Sequence, residues 1–360
     1  MKIDQITGLR GVVAFLIAYA LHWVLLFQAG PDLYSPFLTG LFSASMLLIV
    51  YSPNVFFVLS GYLIHQSYNN RIAKGEISFG RYILPKIRKI YPLVIVTMLV
   101  TWGLQNLSLL KWGYYPLHAD GGEVRNSVQS LILSILGMQS GYISDNDYCS
   151  VNGPAWFVSI LFLCYVIYFL ITKLFKNKCI QNVVYSVFVI LGIYILCTIP
   201  NMPLLYSVNG RGYYSFFAGV LMKEVLDTYV TERNKKLFYM LFLFAFVGAM
   251  SIFALPNVDE YVKVLVLAFF FWPSLVYLVI HGFVLKNILA LPCFVWLGKI
   301  SMPIFLCNFP TLLMICICDL YFGLDLKYTN MVVWIVHVII SLVIALAAHY
   351  IFEVQRKKHD

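Results

Sequence analysis

The chain has 360 residues, 61% of them hydrophobic and only 11% charged, with a mean hydropathy of +0.83 and a net charge of +9. A soluble domain keeps roughly a quarter of its residues charged because its surface faces water, so this composition excludes a soluble globule. The basic residues cluster in short stretches between apolar runs, the pattern that orients membrane helices rather than one that binds nucleic acid.

Apolar runs fall near 8–28, 40–66, 90–109, 154–175, 182–200, 210–227, 236–254, 261–284, 291–320 and 329–352. Each approaches the ~20 residues that span ~30 Å of hydrocarbon. They are continuous rather than alternating, which predicts helices that satisfy their own amides and not barrel strands. Only Lys2 and Arg10 precede or open the first run and no small-residue cleavage site follows it, so it reads as a retained helix. Between the second and third runs lies a basic cytoplasmic loop over about 71–89, with Arg71, Lys74, Arg81, Lys86, Arg88 and Lys89.

A weaker stretch, residues 127–141, decides the threading. If it spans, Lys173–Lys178 and every later basic loop move outside; if it does not, they lie in the cytoplasm, as the positive-inside rule prefers. The second threading predicts an all-α polytopic membrane protein, a single domain over 1–360 with about ten transmembrane helices and both termini cytoplasmic. Residues 127–141 then lie along the membrane surface or dip into the protein. The outer loop, about 110–153, mixes His118, Asp120, Glu123, Arg125, Asp145 and Asp147 with Trp112, Tyr114, Tyr115, Tyr142 and Tyr148. An interfacial aromatic belt with solvated charges is the simpler reading, a sugar-facing surface the sharper one. The eight cysteines sit mostly inside apolar runs, as small hydrophobes do. No CxxC, HExxH, Gly-x-Ser-x-Gly or P-loop pattern occurs, so zinc, serine-hydrolase and nucleotide-hydrolysis chemistry lack their markers.

Ionisable groups inside spans are costly and are functional candidates by default. Arg10 stands at the inner end of the first run and His22 deeper in it. An imidazole can act as a general base near neutrality, although a lone intramembrane histidine more often completes a hydrogen-bond network. Gly8-Leu9-Arg10-Gly11 with His22 resembles the opening of acyltransferase family 3, the membrane O-acyltransferases of bacterial surface and secreted glycans. Asn54-Val55-Phe56-Phe57-Val58-Leu59-Ser60-Gly61-Tyr62-Leu63-Ile64 is similar to that family's FFVLSGFLI signature. Lys86-Ile87-Arg88-Lys89-Ile90-Tyr91-Pro92 resembles its basic stretch ending in R-I-Y-P, and Trp156-Phe157-Val158-Ser159 a W-F-L-S form. Leu297-Gly298-Lys299-Ile300-Ser301 looks like L-G-K-I-S, and Tyr350-Ile351-Phe352-Glu353 like a terminal Y-x-x-E.

The resemblance implies an acyl-CoA donor, usually acetyl-CoA, used from the cytoplasm without a metal, and a hydroxyl acceptor on a glycan or lipid-linked glycan. It places the protein in a bacterial inner (plasma) membrane among lipids, with glycan-synthesis proteins or a homodimer as partners. Arg10 and His22 would be the catalytic pair; Lys86, Arg88, Lys89 and Tyr91 would hold the donor, cations suiting the coenzyme's phosphates. Anchoring to anionic headgroups is the equal alternative for that cluster. Ser60, Asn308, Lys299 and Glu353 are cavity-lining candidates, although close helix packing is the simpler reading of Ser60-Gly61, and Trp156 suits an interface anchor better than a sugar platform.

Three departures stand out. Eleven residues separate Arg10 from His22, where the family has ten. On a straight helix eleven steps return to within about 20° of the starting face and twelve miss it by about 120°. Either a π-bulge absorbs the extra residue or the pair does not act together; the bulge is predicted. Lysines replace the arginines of the basic motif, losing the bidentate fork. Asn308 stands where the family's Y-L-x-H-x-P has histidine, so proton handling is expected to fall wholly on His22. A transporter or flippase for a lipid-linked glycan, or a non-catalytic partner of a glycan synthase, are the competing functions.

Overall fold

The computed structural model describes residues 4–21, 51–117, 122–144, 150–231, 233–255, 257–282 and 284–354. Among these residues the chain is helical and has no strand. Seven helices are long and apolar enough to cross a membrane: Phe79–Trp112, Gly153–Leu174, Lys178–Thr198, Lys235–Ala254, Tyr261–His281, Ser301–Phe322 and Met331–Phe352. Pro53–Ala73 and Ser207–Tyr229 are as long but more polar. The first run carries a helix from Asp4 and passes out of the described residues after Leu21.

Three boundaries bear on function. The helix that begins at Phe79 takes in Lys86, Arg88 and Lys89, so the predicted basic loop is mostly helix. Lysine and arginine are good helix formers and can extend their stems along apolar surface, while Tyr82, Ile83 and Ile90 on either side of them are buried. The predicted run 291–320 is interrupted: one helix ends at Lys299 and the next starts at Ser301. Residues 127–141 hold no helix long enough to span. Their helix, Val128–Ile135, has eight residues, about 12 Å at 1.5 Å per residue, and is capped by the Ser127 hydroxyl accepting from the Ser130 amide at 3.1 Å. The segment dips inward: the Tyr91 hydroxyl donates to the Leu136 carbonyl at 3.4 Å and fills the space beside Gly137.

The chain forms two compact units, one of residues 1–10, 51–85 and 160–296, the other of residues 11–50, 86–159 and 297–360. In the first, helices Pro53–Ala73, Lys178–Thr198 and Ser207–Tyr229 pack backbone to backbone on glycines. A Cβ on Gly61 would lie 2.9 Å from the Phe216 carbonyl carbon, and one on Gly219 2.9 Å from that of Val58. Gly192 and Gly210 meet in the same way. Small residues are the means by which membrane helices approach this closely. In the second unit, Gly11 sits against the Leu297-Gly298 backbone, where a Cβ would lie 2.5 Å from the Gly298 nitrogen. Two motifs at opposite ends of the sequence are thus packing partners.

Candidate active site

The first helix changes character just before His22. It is α-helical over Asp4–Leu16 and π-helical over Ile17–Leu21, so the bulge predicted from the twelve-step spacing is present. His22 itself lies outside the described residues. Arg10 is half-buried, and its charge reaches the Tyr165 phenol, to which the Ser60 hydroxyl is also hydrogen-bonded. Members of the first two motifs thus converge on a tyrosine that no motif marks.

In the second unit the π-turn is held by one face of the Met331–His349 helix. Trp334, His337 and Ser341 recur at three- and four-residue spacing and are all buried, the period that keeps side chains on one helix face. The Trp334 indole donates to the Tyr19 carbonyl at 2.8 Å, and the Tyr19 hydroxyl donates to Ser341 Oγ at 3.0 Å. The Tyr19 and His337 rings meet edge to face with centroids 5.7 Å apart. Widening the ladder at a π-turn exposes backbone groups, and in lipid such groups need side-chain partners; Trp334 is one.

A second opened turn faces this one. Pro310 lies inside the Ser301–Phe322 helix, and proline has no N–H, so the Leu306 carbonyl loses its helical donor. The Asn152 amide replaces it at 3.0 Å, and Thr311 Oγ1 donates back to the Cys307 carbonyl at 2.7 Å. Within this turn Asn308 is fully buried, and its Oδ1 is 2.8 Å from His337 Nε2. An Nε2–H tautomer of His337 would donate to that carboxamide oxygen. Asn308 therefore has an imidazole beside it after all, contributed by a helix that sequence reasoning did not single out. Asn152→Leu should leave the Leu306 carbonyl unsatisfied and cost about 1–3 kcal/mol. A fall in the midpoint of detergent-induced unfolding, with Asn152→Gln falling less, would register it.

The other candidates are more scattered. Lys86 and Tyr91 are half-buried on the Phe79–Trp112 helix, while Arg88 and Lys89 are exposed. Lys299 is exposed at the end of its short helix. Glu353 falls in the π-helical turn Tyr350–Val354. A further buried cluster, unmarked by any motif, lies in the first unit. His65 Nε2 meets Glu224 Oε2 at 2.9 Å, and Nδ1 lies 3.2 Å from the Tyr168 hydroxyl. Lys178 reaches Glu224 Oε1 at 3.3 Å. An acid and an imidazole each satisfied on both sides form a staple among helices, consistent with the rule that buried charges are paired.

The seven membrane-length apolar helices among the described residues mark a multi-pass membrane protein, and polar side chains are buried among them. The acyltransferase domain family matches residues 3–352, and the chain belongs to that family, acyltransferase family 3. It is also 27% identical over 184 residues to an O-acetyl transferase of Shigella phage Sf6, covering 51% of this chain and 50% of that protein. The chain thus spans about half the length of this relative. No solved structure matches it.

Proposed function

We propose that the protein moves an acetyl group from acetyl-CoA, taken from the cytoplasm, to a hydroxyl of a surface or exported glycan. Family membership supports acyl transfer, and the relative's name supports acetyl on oxygen. The observation that carries the site assignment is the π-turn Ile17–Leu21 between Arg10 and His22, because it absorbs the residue that would otherwise turn the pair apart. In this reading His22 takes the acceptor hydroxyl's proton as the oxygen adds to the thioester carbonyl. The C–S bond then breaks and the proton passes to the departing thiolate, giving free coenzyme A. Arg10 and Ser60 both act on Tyr165, while Lys86, Arg88, Lys89 and Tyr91 receive the coenzyme. Ten spans with both termini cytoplasmic, in a bacterial inner membrane, complete the reading.

Purified protein in nanodiscs should release coenzyme A from acetyl-CoA in the presence of a glycan acceptor, and His22→Ala should not. Release that survives His22→Ala discards the base assignment. Folded protein that neither releases nor binds acetyl-CoA discards the enzyme reading in favour of transport or a partner role.

A further inference from the structure

We propose that the cavity lined by Tyr51, Leu196, Cys197, Tyr261, Val264 and Leu265 holds one sugar ring of the acceptor, away from the ring that is acetylated. This rests on the acceptor being an exported glycan.

The cavity lies within the first unit and measures about 220 Å³. Drug-sized ligands fill roughly 300–1,000 Å³, so this space suits a single ring and not a whole glycan. Its walls set two phenol rings beside aliphatic side chains. A pyranose needs such a mixture, because its C–H face covers ring or aliphatic surface while its hydroxyls stay wet. Tyrosine, apolar in body and polar at the tip, serves where one side is wet. Tyr261 is 59% exposed, open to an incoming ligand. Tyr51 is braced: the Arg211 guanidinium lies 4.9 Å from its ring centroid, a favourable cation–π contact. Arg211 Nε donates to Oδ1 of the fully buried Asn54 at 3.3 Å, and the Asn54 amide donates to the Tyr214 hydroxyl. A stacking wall offers ring surface and needs no spare hydrogen-bond donor.

The position suits an exported ligand. Leu196 and Cys197 close the Lys178–Thr198 helix, whose other end carries Lys176 and Lys178. The positive-inside rule puts that basic end in the cytoplasm and the cavity at the outer face. Ser60, which acts on Tyr165 together with Arg10, follows Tyr51 by nine residues, about 14 Å along a helix. A ring in the cavity is therefore not the ring that reacts. Binding energy from such a remote part of a substrate serves the reacting centre.

The probe is oligosaccharide released by mild acid from the surface glycan of the producing bacterium. Cys197, exposed and unbridged on the cavity wall, reports occupancy. In nanodiscs, maleimide labelling of the peptide that carries Cys197 should slow when the oligosaccharide is added, and Tyr261→Ala should abolish that protection. In transfer assays Tyr51→Ala and Tyr261→Ala should each lower kcat/KM for the oligosaccharide about 3–10-fold, as loss of an aromatic partner does. The KM for acetyl-CoA should stay unchanged. Tyr51→Phe and Tyr261→Trp, which keep a ring, should retain most activity. Where loss of the ring against Arg211 leaves Tyr51→Ala unfolded, the exposed Tyr261 carries the test alone.

No protection of Cys197 in folded protein, with or without transfer, would overturn the subsite. Protection by phosphatidylglycerol and not by oligosaccharide would overturn it in favour of a lipid site. A loss confined to the KM for acetyl-CoA would overturn it as well. Protection by oligosaccharide without transfer would instead keep the sugar site and refute the acyltransferase reading.

Discussion

Inserting one alanine between Ile17 and Ala18 should abolish acyl transfer as thoroughly as His22→Ala, whereas deleting Ala18 should leave transfer measurable. The asymmetry follows from helical phase. Arg10 and His22 are twelve steps apart, about 120° out of phase on a straight helix, and the π-turn Ile17–Leu21 takes up one residue. An insertion adds about another 100°. A second bulge cannot readily absorb it, because Tyr19 is fixed by Trp334, Ser341 and the His337 ring. Misplacement of a catalytic group by as little as about 1 Å can cost 10²-fold, and this displacement is larger. Deletion removes the very residue that the π-turn accommodates. Eleven steps then bring the two groups within about 20° on a regular helix, with the flanking turns left in place. Initial rates of coenzyme A release for the two variants, beside their circular dichroism spectra, give the answer. Equal activity in both would detach the π-turn from catalysis.

That π-turn was legible in the sequence because it is a matter of counting: a helical period either brings two residues together or does not. The helical runs were legible for a similar reason, since length and hydropathy set what lipid will accept. Residues 127–141, which charge argues against spanning, carry only an eight-residue helix. Other features were hidden for physical reasons. The helix start at Phe79 is hidden in the sequence because clustered cations ordinarily mark a loop, whereas their long stems can lie along a helix surface. His337 is a lone histidine in an apolar run and matches no motif; its meaning comes from Asn308, 29 positions earlier. The recurrence of Trp334, His337 and Ser341 on one face was the available signal. His65 and Glu224 are 159 positions apart, and nothing local joins them. Gly11 and Gly298 are visible as motif letters, but that Gly11 leaves room for the Leu297-Gly298 backbone is a fact of packing.

Packing of that kind sets the other large effect: Gly61→Val should unfold the first unit, while Gly103→Ala should be neutral or slightly stabilising. A Cβ at 61 would fall 2.9 Å from the Phe216 carbonyl carbon and 3.2 Å from the Val220 nitrogen. These are backbone atoms and cannot rotate aside, so the two helices must separate. Around the contact Phe57, Val58, Phe216, Phe217 and Val220 are fully buried, and interiors packed to this density have no slack to take up the shift. Overpacking costs about 1–3 kcal/mol where side chains can yield; here the cost should exceed that range. Gly219 makes the reciprocal contact on Val58, so Gly219→Val should behave alike and the double variant should be little worse than either alone. At Gly103 nothing lies within 4 Å of the added atom, and alanine gains up to about 1 kcal/mol of helix propensity over glycine. Midpoints of detergent-induced unfolding compare the three directly. A Gly61→Val midpoint equal to that of Gly103→Ala would mean that the helices do not meet at these glycines. A folded but inactive Gly61→Val would instead place the damage at the neighbouring Ser60, which acts on Tyr165.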